Sequence, residues 1–352
     1  MAINRKTGKF NLGTKAAAGL AMASLALAGT AACSSEDGEP ATETAETSAA
    51  EAGEDSGDAE TSEASENITV SHAYGETEVP LNPESIATLD GTWSNALGEL
   101  GVDITMALTV SQLEDGGPWA DYAAENTASY DTAAGESILA NIEKIAAQKP
   151  DVILAGYLPD QDAYDKLSKI APTVGVVGGG LVNDWREATL IAGQITDRES
   201  EAQAAIDEVD AQIEAVREAH PGLEGATGAF VQISPQGFAV VTEDTDPANE
   251  FLSDLGVIVP AEIKEAGQDG GRAFISEENI GIFNTDLLLS WPTGADPADA
   301  QGWNDLEPVK NDTVFSADFI TANAIGTPTV QSVPWALEQL EPTLQRLDEV
   351  RS

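Results

Sequence analysis

The chain has 352 residues, enough for one or two domains, and a formal net charge of −45 that comes from 61 acidic and only 16 basic side chains. That balance excludes a general nucleic-acid binder, because neutralising phosphates takes Lys and Arg. A single cysteine excludes a disulfide framework, so the folded part depends on its own core.

Arg5, Lys6, Lys9 and Lys15 form a basic start, and Ala16–Ala32 is an almost uninterrupted run of apolar and small residues. The run ends Thr30-Ala31-Ala32-Cys33, which resembles a bacterial lipobox with threonine in the usual leucine position. The pattern predicts a lipoprotein signal peptide over residues 1–32, cleaved so that the Cys33 sulfur carries lipid. An ordinary secretory peptide with an incidental cysteine is the alternative. Residues 33–66 carry acids and no Lys or Arg, with no aromatic or large aliphatic side chain, and read as a disordered, self-repelling tether. No second apolar run approaches the roughly 20 residues that span a bilayer.

From Ile68 onward short apolar runs alternate with helical patterns. Ser85–Leu89, Asp151–Ala155 and Thr173–Val177 read as strands, with a helix over Asn95–Leu100. The alternation predicts an α/β lobe with parallel strands over residues 67–196. Apolar residues at Ala202, Ala205, Ile206, Val209, Ile213 and Val216 then recur at helical spacing, and His220-Pro221-Gly222 stops them. One long helix over residues 197–220 joins the first lobe to a second, residues 221–352, with strands at Gly228–Ser234, Phe238–Val241, Asp286–Ser290 and Thr313–Ser316.

The halves echo each other. Leu97-Gly-Glu-Leu-Gly-Val102 returns as Leu252-Ser-Asp-Leu-Gly-Val257, and Glu143 stands eight residues before Asp151 as Glu278 does before Asp286. Asn141 and Ser276, two residues before each Glu, are candidate N-caps, which would put each Glu in the first turn of a short helix. The predicted architecture is therefore two Rossmann-like lobes joined by a single long backbone helix, with a ligand cleft between them.

His72-Ala-Tyr-Gly-Glu-Thr-Glu-Val-Pro80 with Asn82-Pro83, Asn141-Ile-Glu143 through Asp151-Val-Ile-Leu, Ser276-Glu-Glu278-Asn-Ile280, and Trp303-Asn-Asp-Leu306 through Phe315 occur in that order. Together they resemble the iron-siderophore substrate-binding lipoproteins of ABC importers, the class III, helical-backbone periplasmic-binding-protein family. Glu84-Ser85 departs from the family's usual basic residue after the early proline. The resemblance implies a monomeric receptor held on the extracytoplasmic face of the cell membrane by lipid on Cys33. It implies no cofactor or metal ligand of its own, a ferric siderophore as ligand, and delivery to an ABC permease dimer with its cytoplasmic ATPase. It further implies that Glu143 and Glu278 dock on the permease; a plain preference of glutamate for helix N-termini is the alternative.

Loops after strand ends supply the cleft candidates: Trp93, Tyr157, Trp185, Arg186, Phe238, Arg272 and Trp291. Aromatic planes bury a large ligand, and Arg pairs with chelating oxygens, though each aromatic is equally at home in a core. With so few basic residues near the cleft, a hydroxamate or mixed siderophore fits better than a polyanionic tricatecholate. Two histidines, His72 and His220, are too few for a direct zinc or manganese carrier. Haem or cobalamin binding on the same fold stays open. No GxSxG, P-loop, HExxH or CxxC motif occurs, so an enzyme, carboxylate-dependent if any, is disfavoured, as is a passive surface or adhesion lipoprotein.

Overall fold

A hairpin leads into the first sheet: β1 (Asn67–His72) and β2 (Gly75–Pro80) pair antiparallel around Ala73-Tyr74. The structure, a computed structural model, describes residues 67–113, 116–267 and 271–352. All of these lie in one unit, Ser62–Ser352. The signal peptide, Cys33 and the tether predicted over residues 1–66 lie outside the described residues. Among those described, no helix is long and apolar enough to cross a membrane.

The first sheet is fully parallel, in the order β5 (Ala124–Tyr130), β4 (Ile104–Val110), β3 (Ile86–Thr88), β6 (Val152–Leu154), β7 (Thr173–Val174). Alternate residues feed opposite faces, as the strand period of two requires. Ile86, Val152 and Leu154 pack with Trp93, Leu97 and Ile191 from α1 (Gly91–Glu99) and α4 (Trp185–Ile195). Ala87, Leu89 and Ile153 pack with Ile145 and Leu167 from α2 (Ile142–Gln148) and α3 (Gln161–Leu167). The hairpin shields the β7 edge, where Ala73 N donates to Val176 O (2.8 Å) and Thr77 Oγ1 to Thr173 O (2.9 Å).

The predicted connecting helix is α5 (Glu199–Ala219), 21 residues and so about 30 Å long. It starts later than expected because Asp197 takes a left-handed φ of 56° between α4 and α5. Ala202 belongs to the first lobe's core, whereas Ile206, Val209 and Ile213 belong to the second's. One apolar stripe thus fastens the helix to both lobes.

The second sheet runs β10 (Arg272–Ile275), β9 (Gly237–Val241), β8 (Gly228–Ser234), β11 (Leu287–Pro292), β12 (Val314–Ser316). Here β8, β11 and β12 are parallel, but β9 runs antiparallel to both of its neighbours, β8 and β10. Only Pro235-Gln236 separates β8 from β9, and a parallel crossover needs a dozen or more residues. The helices of this lobe are α6 (Pro247–Asp254), α7 (Ala261–Glu265), α8 (Glu307–Asn311), α9 (Phe319–Gly326) and α10 (Ser332–Arg351).

Candidate functional site: the interlobe cleft

The carboxyl ends of β3, β4, β5 and β6 open into a recess of about 150 Å³, closed on the far side by Asn323, Thr327 and Thr329 of the second lobe. Asn323 and Thr327 also line a larger recess of about 390 Å³ against the second sheet, with Arg272, Gln232 and Trp291. The two share a wall and form one cleft. Ligands of open α/β sheets bind in such crevices, outside the carboxyl ends of parallel strands.

Asp90 stands where β3 ends and α1 begins. Its Oδ1 accepts from Trp93 N (3.1 Å), capping the helix, and its Oδ2 accepts from Asn183 Nδ2 (2.8 Å). Gly156, after β6, allows the two chains to close up: a Cβ there would stand 1.7 Å from Asp90 Oδ2. Burial pushes the Asp90 carboxyl up to about 6, against the hydrogen bonds from Trp93 and Asn183. Burial, with the nearby Asp90 charge, pushes the Tyr130 phenol up to about 12.

Asn95, fully buried on α1, joins the lobes. Thr329 Oγ1 accepts from Ser332 N (2.9 Å) and donates its own proton to Asn95 Oδ1 (2.7 Å). With the amide oxygen so engaged, the buried Asn95 Nδ2 is without a partner; Trp119 Nε1 is in the same condition. Both residues line the smaller recess. In the larger one Trp291 meets Phe319 edge-on (6.0 Å, 65°), and Arg272 reaches Asp246 at 3.5 Å.

Of the seven cleft candidates, three border the cleft: Tyr157, 58% exposed, on the smaller recess, and Arg272 and Trp291 on the larger. The other four do not. Trp93 is fully buried on the inward face of α1, its Nε1 donating to Ala155 O (3.3 Å). Trp185 points into the second lobe's core. Phe238 is buried among Phe283 and Trp303, stacked on the latter at 6.4 Å. Arg186 lies over the Trp185 ring (4.3 Å) and spends its guanidinium on Asp210 (2.6 Å) and Asp254 (2.8 Å) of α5 and α6.

Glu143 and Glu278 are exposed in the first turns of α2 and of a 3-10 helix, Glu277–Phe283. Asn141 and Ser276 hold the N-cap positions, but neither side chain makes the capping bond. Asn141 instead donates to Ser129 O and accepts from Lys144 Nζ.

Residues 86–320, about two thirds of the chain, match the sequence pattern of the family described as “Periplasmic binding protein”. The chain belongs to that family. A binding protein of this family with two relatives of note, it is 24% identical over 294 residues to “Probable siderophore-binding lipoprotein YfiY” of Bacillus subtilis (strain 168), covering 79% of this chain and 88% of the relative. It is 27% identical over 227 residues to “Ferric-anguibactin-binding protein FatB” of Vibrio anguillarum, covering 63% of this chain and 67% of the relative. Among solved structures, Streptococcus pneumoniae PiaA in complex with ferrichrome superposes with a TM-score of 0.65 at 25% identity, over 81% of this chain and all of that one. Asp90, Asn95 and Tyr130 escaped the sequence reading because they carry no motif; the one available signal was the position of Asp90 at a strand's carboxyl end.

Proposed function

We propose that this binding protein captures a ferric siderophore outside the membrane and delivers it to an ABC permease, without catalysing a reaction itself. The reading rests on the cleft: a crevice between two lobes fastened by one helix, with Trp291, Arg272 and Tyr157 on its walls. The siderophore-binding names of the relatives support it. In this reading residues 67–196 and 221–352 are the lobes and 197–220 the connector, lipid on Cys33 holds a monomer to the membrane, and Glu143 and Glu278 meet the permease, whose ATPase drives transport.

Charge selects the ligand class. Arg272 is the one cation among the described residues lining either recess, and Asp246 already faces it. A neutral or weakly charged hydroxamate or mixed chelate suits that wall better than a tricatecholate polyanion.

The test is a tryptophan fluorescence titration with ferric hydroxamate, catecholate and citrate complexes, haem and cobalamin. Saturable quenching by a hydroxamate at or below about 1 µM, roughly 8 kcal/mol of binding, is the expected result. Preference for a catecholate would overturn the ligand class, and binding of haem or cobalamin alone would overturn the siderophore.

A further inference from the structure

Asp90 is a part-buried carboxylate that the fold has left without a cation. No Lys, Arg or His stands within ion-pair distance of it among the described residues, and none lines the recess it opens into. Such a group is costly to keep, because burying an unpaired charge is unfavourable. Helix capping does not explain it. Asn or Ser caps a helix as well as Asp and brings no charge to desolvate.

The second observation is independent. Asn95 Nδ2, in a fully buried residue lining the same recess, has no acceptor, the amide oxygen being taken by Thr329 Oγ1. A buried donor left open is likewise unfavourable unless something completes it. The recess therefore offers an anionic acceptor and a neutral donor, with Thr92 and the Tyr130 phenol beside them.

Size divides the cleft. The 150 Å³ recess is the smaller of the two, which suits a side arm better than the chelate itself. The chelate itself belongs in the larger recess, reached past Asn323 and Thr327.

We propose that the recess formed by Asp90 and Asn95 is a specificity subsite for a cationic, amine-bearing arm of the ferric chelate, with the ammonium on the Asp90 carboxylate and a ligand oxygen on Asn95 Nδ2. This rests on the siderophore reading above and narrows it to chelates of the hydroxamate kind that carry a pendant protonated amine. Asp90 thereby acts as a specificity-determining residue, and its missing counter-ion arrives with the ligand.

Ferrioxamine B, a ferric trihydroxamate with one free ammonium arm, and its N-acetyl derivative, which lacks the charge, are the probes. The full chain should bind the cationic form roughly tenfold or more tightly than the acetylated one. That preference should grow as pH rises from 5 to 8 and Asp90 ionises, with Tyr130 and Tyr157 as the other titratable groups lining the recess. Asp90→Asn, which retains capping capacity, should bring the two affinities together and flatten the pH profile. Equal binding of both probes by the wild-type chain, which needs no variant to fold, overturns the subsite and leaves the siderophore function standing. Binding of neither probe, with a catecholate or haem bound instead, overturns the siderophore class and the subsite with it.

Discussion

Asp151 and Asp286 hold the same post in the two lobes. Asp151 Oδ2 accepts from Glu84 N and Ser85 N, both at 2.9 Å; Asp286 Oδ2 accepts from Thr227 N (2.7 Å) and Thr227 Oγ1 (2.9 Å). Each carboxylate precedes a strand, β6 or β11, that runs parallel to the central strand, β3 or β8, whose start it grips. The eight-residue spacing back to Glu143 and Glu278 is the outward sign of this repeated clamp.

The two clamps differ in strength. Asp286 also takes Arg351 Nη1 at 2.7 Å, tying α10 to the sheet. Asp151→Ala should cost about 1–2 kcal/mol and Asp286→Ala about 2–3 kcal/mol, since bonds to a charged group exceed neutral ones. Urea unfolding of both variants measures the order; a larger loss at Asp151 would contradict it.

Because Glu143 and Glu278 are exposed and line neither recess, Glu143→Ala with Glu278→Ala should leave ligand affinity unchanged while abolishing uptake. Fluorescence titration of the purified chain and iron uptake by cells carrying the variant read the two halves separately. Normal uptake would remove the docking role.

His220, where α5 ends, is buried with Nδ1 at 2.7 Å from Asp348 Oδ2 and Nε2 at 3.0 Å from Glu341 Oε2. With a carboxylate on each side, both nitrogens act as donors, which is the imidazolium. Burial disfavours that charge, yet the bonds to Asp348 and Glu341 outweigh it and raise the pKa above the usual histidine value. A raised folded-state pKa gives stability that is complete below the unfolded value, near 6.5, and is lost as pH rises through the folded one. His220→Gln should therefore lower Tm by more at pH 6 than at pH 9. Parallel Tm curves across that range would refute the link.

Glu250 on α6 shows the opposite economy. Burial first, then the charges of Asp184 and Asp254, push it up to about 7. Its ionised form is disfavoured in the fold, so the penalty is absent below the unfolded carboxylate value, near 4.3, and full above pH 7. Glu250→Gln should match the wild type at pH 4.5 and gain about 1–2 kcal/mol at pH 8, after allowance for solvent screening. Chemical denaturation at the two pH values decides it.

What the sequence made legible was what a backbone rule enforces. The Leu97–Val102 and Leu252–Val257 echo marks two helix ends of one design: Val102 N returns to Leu97 O and Val257 N to Leu252 O, both at 2.9 Å, around Gly101 (φ 65°) and Gly256 (φ 81°). Glycine is visible there because a positive φ calls for it. The long helix was legible from its 3.6-residue stripe. By contrast, β5 is Ala-Glu-Asn-Thr-Ala-Ser-Tyr at a sheet edge, with no apolar alternation to reveal it. The cleft aromatics misled for a similar reason: Trp93 follows a strand end by three residues of helix, which turns it back into the core. Asn95 was beyond reach, since its role depends on Thr329, 234 residues away.

That distant pair makes a sharp test of how the lobes are held. Thr329 Oγ1 serves two buried partners at once, donating to Asn95 Oδ1 and accepting from Ser332 N. Thr329→Val keeps the shape and removes both bonds; the Asn95 amide oxygen is left unsatisfied in the interior, while Ser332 N keeps its bond to Thr329 O (3.1 Å). At about 1–3 kcal/mol for a buried group left open, the loss should be about 1–3 kcal/mol. Thr329→Ser retains the hydroxyl and gives up one methyl, so it should lose no more than about 1 kcal/mol. Urea denaturation of the pair separates hydrogen bonding from packing. Equal losses would mean that the methyl, and not the hydroxyl, secures this contact between the lobes.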